Sequence, residues 1–200
     1  IEQGIIGGIP AGGDIFGVAT NPVAIIDEPA QFDFYSGNGL DVACLGMAQA
    51  DRHGNVNVSK FGSTIAGCGG FIDISQSAKK VIFCGTFTAG GLQVEIGDGK
   101  VDIVKEGKHV KFVNDVEHIT FSGQYAKETG QTVLYVTERA VFEISPEGLL
   151  LKEVAPGIDV EKHILSQMDF KPLMPDKPKL MDAGIFKDER MGIAWKGVDI

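Results

Sequence analysis

Two runs, LDVACL at Leu40–Leu45 and VIFCGTF at Val81–Phe87, decide how this chain is read. Both are apolar without strict alternation, the pattern of strands buried on both faces of a parallel sheet. Glycine-bearing loops follow each of them. Such a glycine marks either a close approach of backbone to a ligand or a tight turn with no chemical consequence.

Beyond residue 92 the elements shorten. Leu92–Ile96 and Val101–Val104 flank Gly97-Asp98-Gly99, a hairpin signal, and Ala140–Ile144 and Leu149–Val154 flank Ser145-Pro146-Glu147-Gly148, a second one. Between them Ser122 is placed to cap a short helix running to Glu128, and Thr132–Val136 reads as a further buried strand. Asp159 caps an expected helix over Val160–Met168, with Val160, Ile164 and Met168 on one face. The proline-rich stretch from Lys171 onward reads as an extension, residues 171–200, that packs on the surface of a domain formed by residues 1–170. Strands interleaved with a few helices make the class α/β.

The 200 residues are 44% hydrophobic, enough for one compact domain with a real core. No apolar run approaches the ~20 residues of a membrane span, and the glycine-rich start lacks the basic and apolar regions of a secretory signal. The expectation is a cytoplasmic protein. Cys44, Cys68 and Cys84 form no CxxC pair and suggest buried free thiols rather than a disulfide framework. A net charge of −9 excludes a nucleic-acid partner, which requires a basic face, and leaves any phosphate-bearing ligand to find its cations elsewhere. The chain begins at Ile1 rather than Met, so it reads as a processed product, a segment, or one subunit of something larger.

Among chemically interesting residues, Glu2 stands out because Gly4, Gly7 and Gly8 follow it so closely. A desolvated carboxylate beside an electrophilic carbonyl forms an acyl-enzyme, and glycines let substrate and backbone N–H groups approach it. The alternative is an exposed glutamate before a mobile turn. Ala66-Gly67-Cys68-Gly69-Gly70-Phe71 offers successive backbone donors for an oxyanion, with Phe71 as a wall, but it matches neither GxGxxG nor a Walker loop. Cys68 has no local histidine partner and reads as a small buried thiol. Asn55, Asn57 and Ser59 share one face of a strand, where amides either orient a carboxylate substrate or satisfy loop backbone. His109, His118 and His163 lack metal-ligand spacing, so no metal site is expected.

The segments EQGIIGGIPAGG, FDFYSGNGLDVACLGMAQADRHGNVNVSKFG, AGCGGFIDISQ, VIFCGTFTAGGL, VEHITFSG, YVTERAVF and EVAPGIDVEKHIL, in this order from Glu2 to about Phe186, resemble the C-terminal half of family I CoA-transferases of the fused short-chain type. The resemblance implies an open, mostly parallel sheet flanked by helices, the CoA-transferase fold, with additional β-hairpins. It also implies that Glu2 is the catalytic nucleophile of an E-x-G element, with Gln3, Gly4, Gly7 and Gly8 in the active-site loop. Gly69, Gly70 and Phe71 match the GxGGF element that borders the active site, and Asn55 is a candidate for the substrate pocket.

The implied reaction transfers coenzyme A between a short-chain acyl-CoA and a free acid of the acetate, propionate or lactate type. It passes through a glutamyl-CoA thioester, with no tightly bound cofactor. Partners implied are the N-terminal CoA-transferase half, which holds much of the coenzyme, and further copies in a homo-oligomer; alone, this chain is expected to be inactive. Two rivals are an acyl-CoA hydrolase, in which water resolves the intermediate, and a non-catalytic assembly subunit.

Overall fold

The computed structural model describes residues 2–15 and 17–193. Residues 194–200 of the expected C-terminal extension lie outside the described residues, as does Ile1. The centre of the molecule is a six-stranded sheet built from β1 (Val42–Gly46), β2 (Lys80–Cys84), β3 (Thr132–Val136), β4 (Ala140–Ser145), β5 (Gly148–Val154) and β6 (Lys179–Leu180), in the order β6-β5-β4-β3-β2-β1. The β1–β2, β2–β3 and β5–β6 pairings are parallel and the two hairpin pairings around β4 antiparallel, so the sheet is mixed but mostly parallel.

The register places Val81 between Ala43 and Val133, and Phe83 between Leu45 and Tyr135. Alternate residues then point to one face, and Val81, Phe83, Val133 and Tyr135 are fully buried. Phe83 stacks on Phe71 at 5.8 Å and meets Phe121 edge-on at 5.0 Å. A second aromatic group, Phe87, Phe112 and Phe142, closes the other end, with centroids 4.8 and 4.9 Å apart from Phe112. Each such side chain contributes about 1.5–3 kcal/mol through removal from water.

The expectation of strands buried on both sides holds only for one face of β1. Ala43 is buried, but Val42 is 49% exposed and Cys44 is exposed, because alternate residues point to opposite faces and the face carrying Val42 and Cys44, which also carries Lys80 and Cys84 of β2, is the less covered one. The same geometry corrects the expectation of buried thiols: Cys44 and Cys84 are exposed and Cys68 is half-buried, all three free. Burial of part of the Cys84 side chain, with Cys44 nearby, pushes its thiol above the ordinary value.

Among the described residues four α-helices accompany the sheet. α1 (Glu28–Ser36) carries no expectation from apolar periodicity, although Asp27 with Pro29 at the first turn is a helix-start signal. Phe71, expected at the end of the glycine loop, instead opens α2 (Phe71–Ser77), whose seven residues with two β-branched isoleucines are too short to display a helical stripe. The helix α1 packs on α2, and α2 on β1. α3 (Gly123–Thr129) forms where expected, with Ser122 Oγ accepting from Tyr125 N at 3.2 Å and Gly130 closing it in the left-handed region. α4 spans only Val160–His163, capped by Asp159, and a separate 3₁₀ turn at Leu165–Gln167 follows it. The helix breaks at Ile164, yet Ile164 and Met168 are still buried.

The hairpin around Gly97-Asp98-Gly99 forms as Gln93–Gly97 paired with Lys100–Lys105. Lys179–Leu180 of the tail adds the parallel edge strand β6, and Met181 and Phe186 are buried with Val101 and Ala155 in a small second core. At the other end, Ile5–Ile6 pairs with Ala24–Ile25 and Ile9–Pro10 with Ala19–Thr20, giving a narrow two-stranded ribbon that leads directly out of Glu2.

Candidate active site

Glu2 is half-buried at the base of this ribbon, and its Oε1 accepts a hydrogen bond from Gly70 N at 3.1 Å. Gly70 precedes α2, and Phe71 is that helix's first residue. Two segments 68 residues apart in sequence, the E-x-G start and the GxGGF loop, therefore meet at one carboxylate. A Cβ built on Gly70 would lie 3.1 Å from Glu2 Oε1 and 2.2 Å from Phe32 Cζ, and one on Gly69 would lie 3.4 Å from the same oxygen. Side chains here would close the approach to the carboxylate.

The other predicted glycines act differently. Gly4 has φ +81°, and a Cβ there would sit 2.1 Å from Ile26 O; Gly4 O accepts from Ile26 N at 2.9 Å. Gly7 and Gly8 face Val23 and Thr20 of the returning strand. These glycines let the ribbon fold onto itself, so the idea that they all clear a path for substrate is corrected. Gln3 is exposed and packs its amide against Gly17.

Glu2 lines two cavities. One, of about 290 Å³, is walled by Pro10, Ala11, Tyr35, Leu40, Val42, Cys44 and Ile74. The other, of about 450 Å³, is walled by Cys44, Leu45, Gly46, Met47, Val58, Cys68 and Phe71. Both lie along β1, and the second reaches its carboxyl end, where open α/β sheets receive ligands. The walls are mainly apolar around one carboxylate, an environment suited to an acyl group and to a desolvated nucleophile. Tyr35, Cys44 and Met47 were not foreseen as wall residues. They come from α1, β1 and the residue that follows β1, and only the fold brings them beside Glu2.

Asn55 is not brought to these cavities. Its Nδ2 donates to Asp51 Oδ2 at 3.0 Å and its Oδ1 accepts from Gly123 N at 2.9 Å, so its amide holds the Asp51–Asn55 turn against α3. Asn57 is fully buried and likewise engaged, with Nδ2 on Gln49 Oε1 at 2.7 Å and Lys60 O at 2.8 Å. Among the described residues no group of three or more His, Cys, Asp or Glu side chains is arranged to hold a metal ion. No helix among them is long and apolar enough to cross a membrane.

No family model matches the chain. It is 54% identical over 192 residues to acetate CoA-transferase YdiF of Escherichia coli, covering 96% of this chain and 36% of that protein. It is 50% identical over 203 residues to caffeate CoA-transferase of Acetobacterium woodii, covering 99% of this chain and 38% of that protein. The crystal structure of the YdiF apoenzyme from E. coli O157:H7 superposes with a TM-score of 0.90 at 52% identity, over 96% of this chain and 36% of that one. YdiF has also been crystallised as a thioester complex with CoA. Glutaconate coenzyme A-transferase of Acidaminococcus fermentans, at 17% identity, TM-score 0.63 and coverage of 91% and 72%, shares the fold. The chain spans about a third of the length of the curated relatives it matches. Over nearly its whole length the chain is thus similar, in sequence and in fold, to one part of these CoA-transferases.

Proposed function

We propose that this chain carries the nucleophile of a CoA-transferase that moves coenzyme A between a short-chain acyl-CoA and a free carboxylic acid. The observation that carries the reading is Glu2 itself: a carboxylate lining two apolar cavities, with a backbone N–H of the glycine loop at 3.1 Å. In the first half-reaction a Glu2 oxygen attacks the thioester carbonyl, and the C–S bond breaks to give a mixed anhydride and CoA thiolate. The thiolate then attacks the Glu2 carbonyl, releasing the first acid as its carboxylate and leaving a glutamyl-CoA thioester. A second carboxylate runs the same bonds in reverse. No net proton is gained or lost, which fits a site without an evident general base.

In this scheme the Gly70 N–H, with Gly69 beside it, turns from the resting carboxylate to the tetrahedral oxyanion. Such a donor contributes about 3–4 kcal/mol where it has been removed by mutation. Phe71 and Met47 wall the acyl group. The relatives are named for acetate and for caffeate, acids of very different size, at nearly equal identity to this chain. We take acetate, propionate or lactate as the acid class; one methylene in such a pocket shifts preference by only about 1–3 kcal/mol.

The N-terminal remainder of a longer protein is proposed as the obligatory partner, in the same polypeptide or as a separate chain. The ribbon supports this: Ile9, Val23 and Ile25 are 71%, 83% and 70% exposed, an apolar surface suited to being covered by further protein. A homo-oligomer, a cytoplasmic location and the division into residues 1–170 and 171–200 belong to the same proposal. For that division, the pairing of β6 argues that the tail completes the sheet edge as well as covering surface.

The test is peptide mass mapping of the full-length protein after acetyl-CoA and then borohydride. Reduction at Glu2 to the alcohol is the expected result, and an unmodified Glu2 in a CoA-binding protein removes the reading in favour of an assembly subunit. Release of free CoA without an acceptor acid would identify a hydrolase instead.

A further inference from the structure

Lys111 lies between the short strands His109–Val110 and Phe112–Val113 and is only 7% exposed. Its carbonyl accepts from Ala50 N at 2.8 Å, but its ammonium makes no hydrogen bond or ion pair with any described residue. A lysine at this depth is ordinarily paired, because taking a charge out of water without compensation is expensive. The ammonium is not sealed in, however. Gln76 Nε2 and Gln131 Oε1 are the fully enclosed unpartnered side-chain atoms among the described residues, so the equally unpartnered Lys111 tip keeps some contact with open space.

Its position is specific. A Cβ built on Gly85 would lie 2.7 Å from Lys111 Nζ and 3.3 Å from Met47 O. Gly85 follows β2, with its N–H on Val136 O at the end of β3, and Met47 follows β1, with its N–H on Cys84 O. The ammonium thus stands at the carboxyl ends of three neighbouring parallel strands, the end of an open sheet where ligands bind. Met47 is also a wall of the larger cavity that contains Glu2. Gly85 leaves the space that the ammonium occupies; any side chain there would contest it.

The acid closest in influence, Glu138, does not neutralise Lys111 by contact. Its oxygens accept from Phe87 N at 2.9 Å and Arg139 Nε at 2.6 Å, while Arg139 also pairs with Glu106. Burial lowers the Lys111 ammonium below the ordinary lysine value, and Glu138 draws it partly back.

We propose that Lys111 forms an anion subsite of the transferase, its ammonium receiving anionic oxygens of a substrate at the carboxyl ends of β1, β2 and β3. The proposal rests on the CoA-transferase reading, in which both substrates are anions: the free acid through its carboxylate and acyl-CoA through its phosphates. In a chain of net charge −9, a mostly buried cation without a partner among the described residues attracts an anion more strongly than a surface lysine does. The competing structural role is long-range balance of the negative excess left by Glu106 and Glu138 around Arg139.

The experiment compares Lys111→Met, Lys111→Arg and Gly85→Ala in the full-length protein, with Glu2→Gln alongside. It reads KM for the acid, KM for acyl-CoA, and melting temperature with and without added acetate or CoA. The expected result for Lys111→Met is a KM raised about tenfold for one substrate with kcat changed far less, the pattern of lost binding that is uniform through the reaction. Lys111→Arg restores most of it, and Gly85→Ala, which keeps the charge but displaces it, raises the same KM. A rise confined to the acid assigns the subsite to the carboxylate, and one confined to acyl-CoA assigns it to the phosphates.

Unchanged KM values with a lowered melting temperature would make Lys111 a balancing charge and overturn the proposal. Should Lys111→Met fail to fold, Gly85→Ala decides by the same readings. Wild-type turnover in Glu2→Gln would instead sink the mechanistic reading. In that case an acetate or CoA thermal shift that disappears in Lys111→Met still upholds the subsite, and a shift that persists overturns it.

Discussion

The backbone N–H of Gly70 donates to Glu2 Oε1 at 3.1 Å, across 68 residues of sequence. In the proposed reaction the contact aims a donor at the Glu2 oxygen on which charge develops when the CoA thiolate attacks the Glu2 carbonyl of the anhydride, and a side chain at residue 70 would crowd it. Gly70→Ala brings a methyl group into Phe32 and against Glu2. The expected outcome is a loss of about 100-fold or more in kcat/KM in the full-length protein. Steady-state kinetics beside a melting curve separates this from simple unfolding.

Glu2→Asp keeps the carboxylate but withdraws it by one methylene from the Gly70 donor. Misplacement of a reacting group by about 1 Å costs on the order of 100-fold in rate. The variant is expected to turn over slowly and still be trapped as a reduced product at residue 2, read by mass mapping. Wild-type turnover would show that this carboxylate is not the one that reacts.

Asn55→Ala tests the assignment of its amide to the turn rather than to substrate. The substitution leaves Gly123 N without its acceptor and removes one of the two donors to Asp51 Oδ2, a loss of about 1–3 kcal/mol. A lower urea midpoint with both KM values unchanged is expected. A raised KM at unchanged stability would return Asn55 to the pocket.

Arg139 is fully buried, paired with Glu106 at 2.6 Å and Glu138 at 2.6 Å, bonded to His163 O, and stacked over Phe87 at 5.0 Å. Arg139→Met strands two carboxylates. A destabilisation of about 3–5 kcal/mol is expected from breaking such a buried set on one side. Chemical denaturation measures it directly, and a change under about 1 kcal/mol would show the carboxylates re-solvating freely.

Tyr135 sits on β3 with its hydroxyl donating to Gly54 O, and burial, with Asp51 nearby, holds its phenol well above the ordinary value of 10.0. The folded state therefore keeps this proton where the unfolded chain releases it. That contribution is fully present below about pH 10 and is lost as pH rises from there toward the raised folded value. Tyr135→Phe is expected to flatten the alkaline limb of the stability curve, measured by urea unfolding between pH 9 and 11; an unchanged slope would exclude Tyr135 as its source.

Much of the framework was legible from local pattern. Thr132–Val136, the hairpins around Gly97-Asp98-Gly99 and Ser145–Gly148, and the Ser122 and Asp159 caps were readable because strand period, turn residues and cap chemistry act within a few residues. The helices α1 and α2 were not, since neither carries an apolar stripe long enough to announce itself. In α1 the buried residues are only Gln31 and Tyr35. The exposure of Cys44 and Cys84 was not legible either, because apolar composition does not say which face of a sheet will be left less covered.

By itself, the sequence determined the order of elements, the α/β class, the family resemblance and the choice of Glu2 as the residue to watch. Only the tertiary structure decided that Gly70 faces Glu2, that Asn55 turns away to bind α3, and that Lys111 stands beside Gly85 and Met47 without a partner among the described residues. The reason is physical: turn and cap preferences are settled between near neighbours, whereas these meetings depend on the register of β1, β2 and β3 together with the loops that return across their ends.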